Sequence, residues 1–284
     1  MVELINLLVP LIAVFTGAAN LIWSRIVLVR HKVNFHKFLP ITFILASLFM
    51  LPFLGFIENF SMRMLEPINI SLMMGLIFVA YMYNFFFFKG FGHETLCEVE
   101  FLMLLVPLFA ISLAFFIFPS ERLLLPLFLG IIATIVLAWS HFYHGHIEFT
   151  KNSKYILLSI LFLAIEYMFV KQLLGLYNPF TLYFVRTFFL TILFNLLFPV
   201  KFKEISRKSW KYLVAGVMAF VIQYVATFTS VEFNGIVVTN LIMNLLPVTV
   251  FTYAYFIYKD NPGWKKIVAG IVILSCILII QIYG

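Results

Sequence analysis

Ten apolar stretches follow one another with little between them, and each, at about 20 residues, is long enough to cross a hydrocarbon core. They read as about 4–24, 38–56, 70–89, 95–118, 123–142, 154–175, 179–199, 211–230, 236–258 and 264–283. In lipid, only helices and closed barrels satisfy their own backbone polar groups, and runs this long are helical. The sequence therefore predicts an all-α integral membrane protein of ten transmembrane helices. Nothing between the spans is long enough for a soluble domain, and a chain 64% hydrophobic and 11% charged lies outside the soluble globular range. Met1-Val2-Glu3 has no basic leader, so the first span reads as a membrane helix and not as a cleaved signal.

The net charge of +7 is a record of topology, because the basic residues sit between spans. This is no nucleic-acid signal. The exits of spans 1, 3, 5, 7 and 9 carry 15 Lys and Arg, among them Arg25, Arg30, Lys89, Lys154, Arg207 and Lys265. The alternate side carries only Arg63, Arg122 and Lys171. The positive-inside rule then places the odd-numbered exits in the cytoplasm and both termini outside it. Cys97 and Cys276 both fall within apolar spans and form no CxxC.

The two halves of the chain read as copies. Phe115-Phe116-Ile117-Phe118 returns as Tyr255-Phe256-Ile257-Tyr258, and at the same offset Pro107 falls on Pro247, Gly130 on Gly270 and Glu100 on Asn240. The first spans match more loosely, pairing Asn20 with Glu166 and Arg25 with Lys171. The prolines fall within spans, where each removes a backbone hydrogen bond and bends the helix. The glycines sit where a following helix needs close backbone approach. Five spans per copy force the second copy to enter the membrane upside down. The predicted domains are residues 1–147 and 148–284, two inverted five-helix repeats with a binding site at their interface near the midplane.

These residues carry a resemblance. With Gly17-Ala18-Ala19-Asn20 in span 1, the run Pro107…Ser120-Glu121-Arg122…Gly130 and its copy through Pro247 and Gly270, the chain resembles the drug/metabolite transporter superfamily, of the ten-span type with two EamA-like repeats. In that family a mid-helix proline is followed by a short acidic loop, typically Gly-Glu, and then by a helix with an early glycine. Ser120 replaces the glycine here, and the second copy has Asp260-Asn261. Many members are drawn with cytoplasmic termini, opposite to the charge count. The resemblance implies a transporter of a small organic metabolite, such as an amino acid or amine, most often exported, and it places spans 1, 8 and 9 around the central cavity.

Ionisable groups in hydrocarbon are costly and mark candidate sites. Glu166 lies roughly 13 Å in from the end of span 6, and Arg186 roughly 10 Å in from the same face in span 7, at 1.5 Å per residue. Two readings stand: a buried ion pair that holds the helices together, or a pair lining the cavity with Glu166 as the proton-coupling group. Arg186 snorkelling to the surface is a third. Glu98 and Glu100 point to nearly opposite sides of one helix. Glu100 shares a face with Pro107 and is the cavity candidate, although a carboxylate near a helix start also suits the helix dipole. Three polar stripes follow helical spacing: Gly17, Asn20 and Ser24; Gln223, Thr227 and Ser230; and Asn240, Asn244 and Pro247. Such stripes serve interhelical hydrogen bonds or ligand contacts. Trp23, Tyr83, Tyr167 and Tyr224 are candidate aromatic walls.

Other chemistries lack their residues. His141, His144 and His146 cluster after span 5 but are too few for a di-iron membrane enzyme. A single aspartate, Asp260, excludes paired magnesium-binding Asp motifs, and no Walker loop, Gly-x-Ser-x-Gly or His-Glu-x-x-His occurs. The sequence thus predicts a non-enzymatic secondary transporter without cofactor or metal. Its expected partners are a small-molecule substrate, the lipid bilayer and protons, with no nucleic acid. The chain is read as a monomer or homodimer in a prokaryotic inner membrane. The alternatives are a translocator of a lipid-linked sugar or lipid phosphate, and a membrane-embedded enzyme.

Overall fold

The computed structural model of the chain describes residues 2–56, 62–94, 99, 102–103, 105–122, 124–141, 152–200, 202, 205–258 and 264–283. Every regular element among them is helical. The α-helices are α1 (Val2–Arg25), α2 (Phe35–Met50), α3 (Pro67–Phe91), α4 (Leu105–Ile117), α5 (Leu124–His141), α6 (Ser153–Leu173), α7 (Pro179–Leu197), α8 (Arg207–Met243), α9 (Leu245–Tyr258) and α10 (Trp264–Tyr283). Among the described residues, six helical stretches are long and apolar enough to cross a membrane: 6–30, 35–53, 67–91, 153–173, 179–197 and 207–243. The remaining helices are shorter or adjoin residues outside the description. Side chains such as Phe15, Met74, Phe78, Phe116, Ile135, Phe189 and Leu274 are exposed, as a lipid-facing surface requires.

Several boundaries differ from the hydropathy reading. The helix of the first span does not end near residue 24: a π-helical turn, Ile26–Arg30, continues it. Arg25 tolerates this position because its guanidinium donates to the carbonyls of Phe91 (3.5 Å), the last residue of α3, and Glu94 (2.8 Å) just beyond it. Asn34 and Asn178 cap α2 and α7, accepting from His36 N–H (3.0 Å) and Thr181 N–H (2.8 Å).

The predicted eighth and ninth spans meet at Gly235, inside α8. Gly235 has φ 78°, a left-handed value that favours glycine. The chain reverses there, and Ser230 and Thr239 bond across the hairpin at 2.8 Å. Glu121 enters this turn from the α4–α5 connection and accepts from the N–H groups of Ile236 (3.0 Å) and Val237 (3.2 Å). A Cβ at position 235 would collide with that carboxylate. The ninth span is itself interrupted at Asn244. Pro247 has no N–H to offer the Met243 carbonyl, and Asn244 N–H turns back to Leu241 O (3.2 Å).

The helices pack in matched sets. α1 lies along α8, and α3 along α6; α4 packs on α6, and α9 on α1; α5 meets α10, and α2 meets α7. Small residues permit the close approaches. A Cβ on Gly17 would lie 2.6 Å from Leu246, and one on Gly75 2.7 Å from Phe169. Gly130 is pressed against Ile111 (2.7 Å) and Gly270 against Val248 (3.3 Å) in the same sense.

Candidate functional site

The centre of the site is a buried ion pair. α6 is apolar around Glu166, and the Asn178 cap starts α7 so that Arg186 falls two turns inside it. Arg186 Nη2 lies 2.6 Å from Glu166 Oε1, with the side chains 0% and 2% exposed. The two groups answer each other in a charge-assisted contact, and neither has a further hydrogen-bond partner among the described residues. The guanidinium also sits 4.8 Å from the centroid of Tyr224, a contact that strengthens when desolvated. Tyr224 is in turn stacked on Tyr183 at 5.8 Å.

Glu166 forms part of the wall of a narrow cavity of about 100 Å³, below the roughly 300–1,000 Å³ of ordinary ligand pockets. In this conformation it accommodates a few waters or a small fragment. Its polar lining comes from α1 (Asn20), α3 (Tyr83), α6 (Glu166, Tyr167), α8 (Gln223, Tyr224, Thr227, Asn240) and the break at Asn244. Phe87, Phe88, Phe220, Phe228, Pro107 and Pro247 add apolar surface.

The stripes divide by role. Asn20 donates to Gln223 Oε1 (3.3 Å) and accepts from Ser24 (3.1 Å), so the first stripe ties α1 to α8. In the second stripe, Thr227 is satisfied by Gln223 O at 2.8 Å. The third is the most available to a ligand. Asn240 spends its N–H on Ile236 O (3.0 Å) but leaves Oδ1 without a partner, and both polar atoms of Asn244 have none, although each residue is 1% exposed. Buried amides without partners are costly unless something else completes them.

Of the residues expected at the site, Asn20, Tyr83, Glu166, Tyr167, Gln223, Asn240 and Asn244 line the cavity together. Arg186 is not a lining residue; it stands behind Glu166, held from solvent by the tyrosines. Trp23 is not on the wall either. Its helical phase turns it to α8, with its Cβ 3.3 Å from the Cβ position of Gly216. Glu100 and Glu98 lie outside the described residues, as do His144 and His146. The sequence reading left out Phe220, Phe228 and Phe87, which lie four residues before or after Tyr224 and Tyr83 and share their faces.

Comparison with known proteins adds a family match to the C-terminal part of the chain. No curated protein matches the sequence. A solved structure, described only as the crystal structure of a protein, aligns with a TM-score of 0.71 at 15% identity, covering 95% of this chain and 96% of its own. At that identity the likeness establishes a shared fold and nothing of activity. Residues 153–282, a little under half of the chain, match the model of the EamA-like transporter family, which belongs to the drug/metabolite transporter superfamily.

Proposed function

We propose that the chain is a secondary-active transporter of a small organic metabolite, such as an amino acid or amine, working by alternating access around the central cavity. The carrying observation is Glu166: a carboxylate in the cavity wall, buried, paired from behind by Arg186 and with no second hydrogen-bond partner among the described residues. A group so placed can exchange its partner for a proton or a substrate ammonium, which a purely structural pair walled off on every side cannot do. The amides of Asn240 and Asn244 supply donors and acceptors in the same cavity, and Tyr83 and Tyr167 supply aromatic surface. The cavity is too small for most metabolites as it stands, so binding requires the helices to part.

The architecture we propose is ten spans in two inverted repeats, residues 1–147 and 148–284. The packing pairs support this, because exchanging the first five spans with the last five maps α1 on α8 onto α6 on α3. The basic residues echo it. Arg25 reaches the carbonyls of Phe91 and Glu94 past the third span, and Lys171 reaches Val231 O (3.3 Å) near the end of the eighth. We place the protein in a prokaryotic inner membrane with both termini extracytoplasmic.

A lipid-phosphate translocator is less well supported. It calls for a basic pocket open to the bilayer, whereas Arg186 is fully buried and neutralised by Glu166. The large apolar groove between α3 and α7, about 740 Å³, shares no lining residue with the cavity. In proteoliposomes, Glu166→Gln is expected to abolish proton-driven uptake and flatten its pH dependence, at a cost in thermal stability from the uncompensated Arg186. Wild-type rates and pH dependence in that variant would remove Glu166 from the coupling mechanism.

A further inference from the structure

We propose that Glu121, Lys171 and the Gly235 hairpin form a latch that holds the cavity shut at the end of the molecule carrying residues 119–122. The proposal rests on the alternating-access reading above. The Glu121 carboxylate caps the helix that begins at Ile236, accepting from two backbone N–H groups, and pairs with Lys171 Nζ at 3.4 Å. Lys171 spans the gap, donating also to Val231 O on the near side of the hairpin (3.3 Å). Asn234 completes the closure by donating to Asn6 O at 2.8 Å. Three segments distant in sequence, the start of α1, the α4–α5 connection and the end of α6, thus grip one turn.

That turn is the roof of the cavity. Asn240, a lining residue, follows Ile236 by one helical turn, so the capped N–H groups lie roughly 6 Å above it. Thr227, also lining, lies two turns before Asn234 on the other arm. Opening this end requires the hairpin to leave Glu121, which separates the carboxylate from a helix N-terminus and from a cation in one movement. Both interactions are charge-assisted. The pair is nevertheless built to part, because Lys171 is 25% exposed and so is not locked into the packed core. Gly235 fits the same reading: any side chain there would displace the carboxylate from the turn.

The test is side-specific labelling in sealed vesicles. Cys97 and Cys276 are replaced by serine, Thr227→Cys reports access to the cavity, and Ser120→Cys in a separate chain identifies the side bearing the latch. With a membrane-impermeant maleimide, Glu121→Gln and Lys171→Met are each expected to raise labelling of the cavity cysteine from the latch side about tenfold. That factor corresponds to ~1.4 kcal/mol of closed-state preference. Labelling from the opposite side is expected to fall, and the double variant to add little to either single one, since both break one unit. Lys171→Met retains the helix cap and so keeps the test open if Glu121→Gln fails to fold. Unchanged rates, or an equal rise from both sides, would overturn the latch. A parent cavity cysteine labelled rapidly from both sides at once would instead mark a pore and overturn the alternating-access reading itself.

Discussion

At the scale of single residues, Glu166 and Arg186 dominate because each is costly without the other. Removing one partner of a buried pair leaves an uncompensated charge, typically at about 3–5 kcal/mol. Arg186→Met is therefore expected to lower the thermal unfolding temperature in detergent sharply, and adding Glu166→Gln to recover most of that loss without restoring transport. If Arg186→Met alone unfolds at the wild-type temperature, the pair contributes nothing to the fold. The pairing was legible in the sequence because two antiparallel helices joined by a short turn place residues by depth, and depth follows from counting. The fate of Trp23 was not legible. Its depth suited the cavity, but its rotation about α1 is fixed by Gly216 on a helix nearly two hundred positions later.

At the scale of elements, the informative helices are the broken ones. The interruption at Asn244 releases both polar atoms of its side chain to the cavity, and Pro247 causes it by withholding an N–H. Pro247→Ala is expected to close the helix through this point, leaving thermal stability unchanged or raised while transport turnover falls by about tenfold or more, a loss of at least ~1.4 kcal/mol at the transition state. Full turnover with a healed helix would show that the break is incidental. Proline made the break predictable. The hairpin at Gly235 was only half so. Hydropathy set a boundary between spans there, yet the chain could not announce that Glu121 completes the turn from 115 residues upstream. Hydropathy also ended the first span too early, because it counts Arg25 as polar and cannot see the carbonyls that receive it.

At the scale of the whole molecule, the proposed inverted repeat bears on orientation, since such a repeat would present opposite faces of its two copies to each side. The distribution of Lys and Arg assigns the termini to the non-cytoplasmic side, whereas the family resemblance implies the reverse. A reporter fused after Gly284 is expected to read as non-cytoplasmic; cytoplasmic activity would show that the loop charges do not govern insertion in this chain. The halves are also unequal in what they supply to each other. The N–H groups opening the second half's hairpin are completed by a carboxylate synthesised in the first half. A nascent chain thus holds that carboxylate ready long before the turn emerges, and a second half made alone would have none.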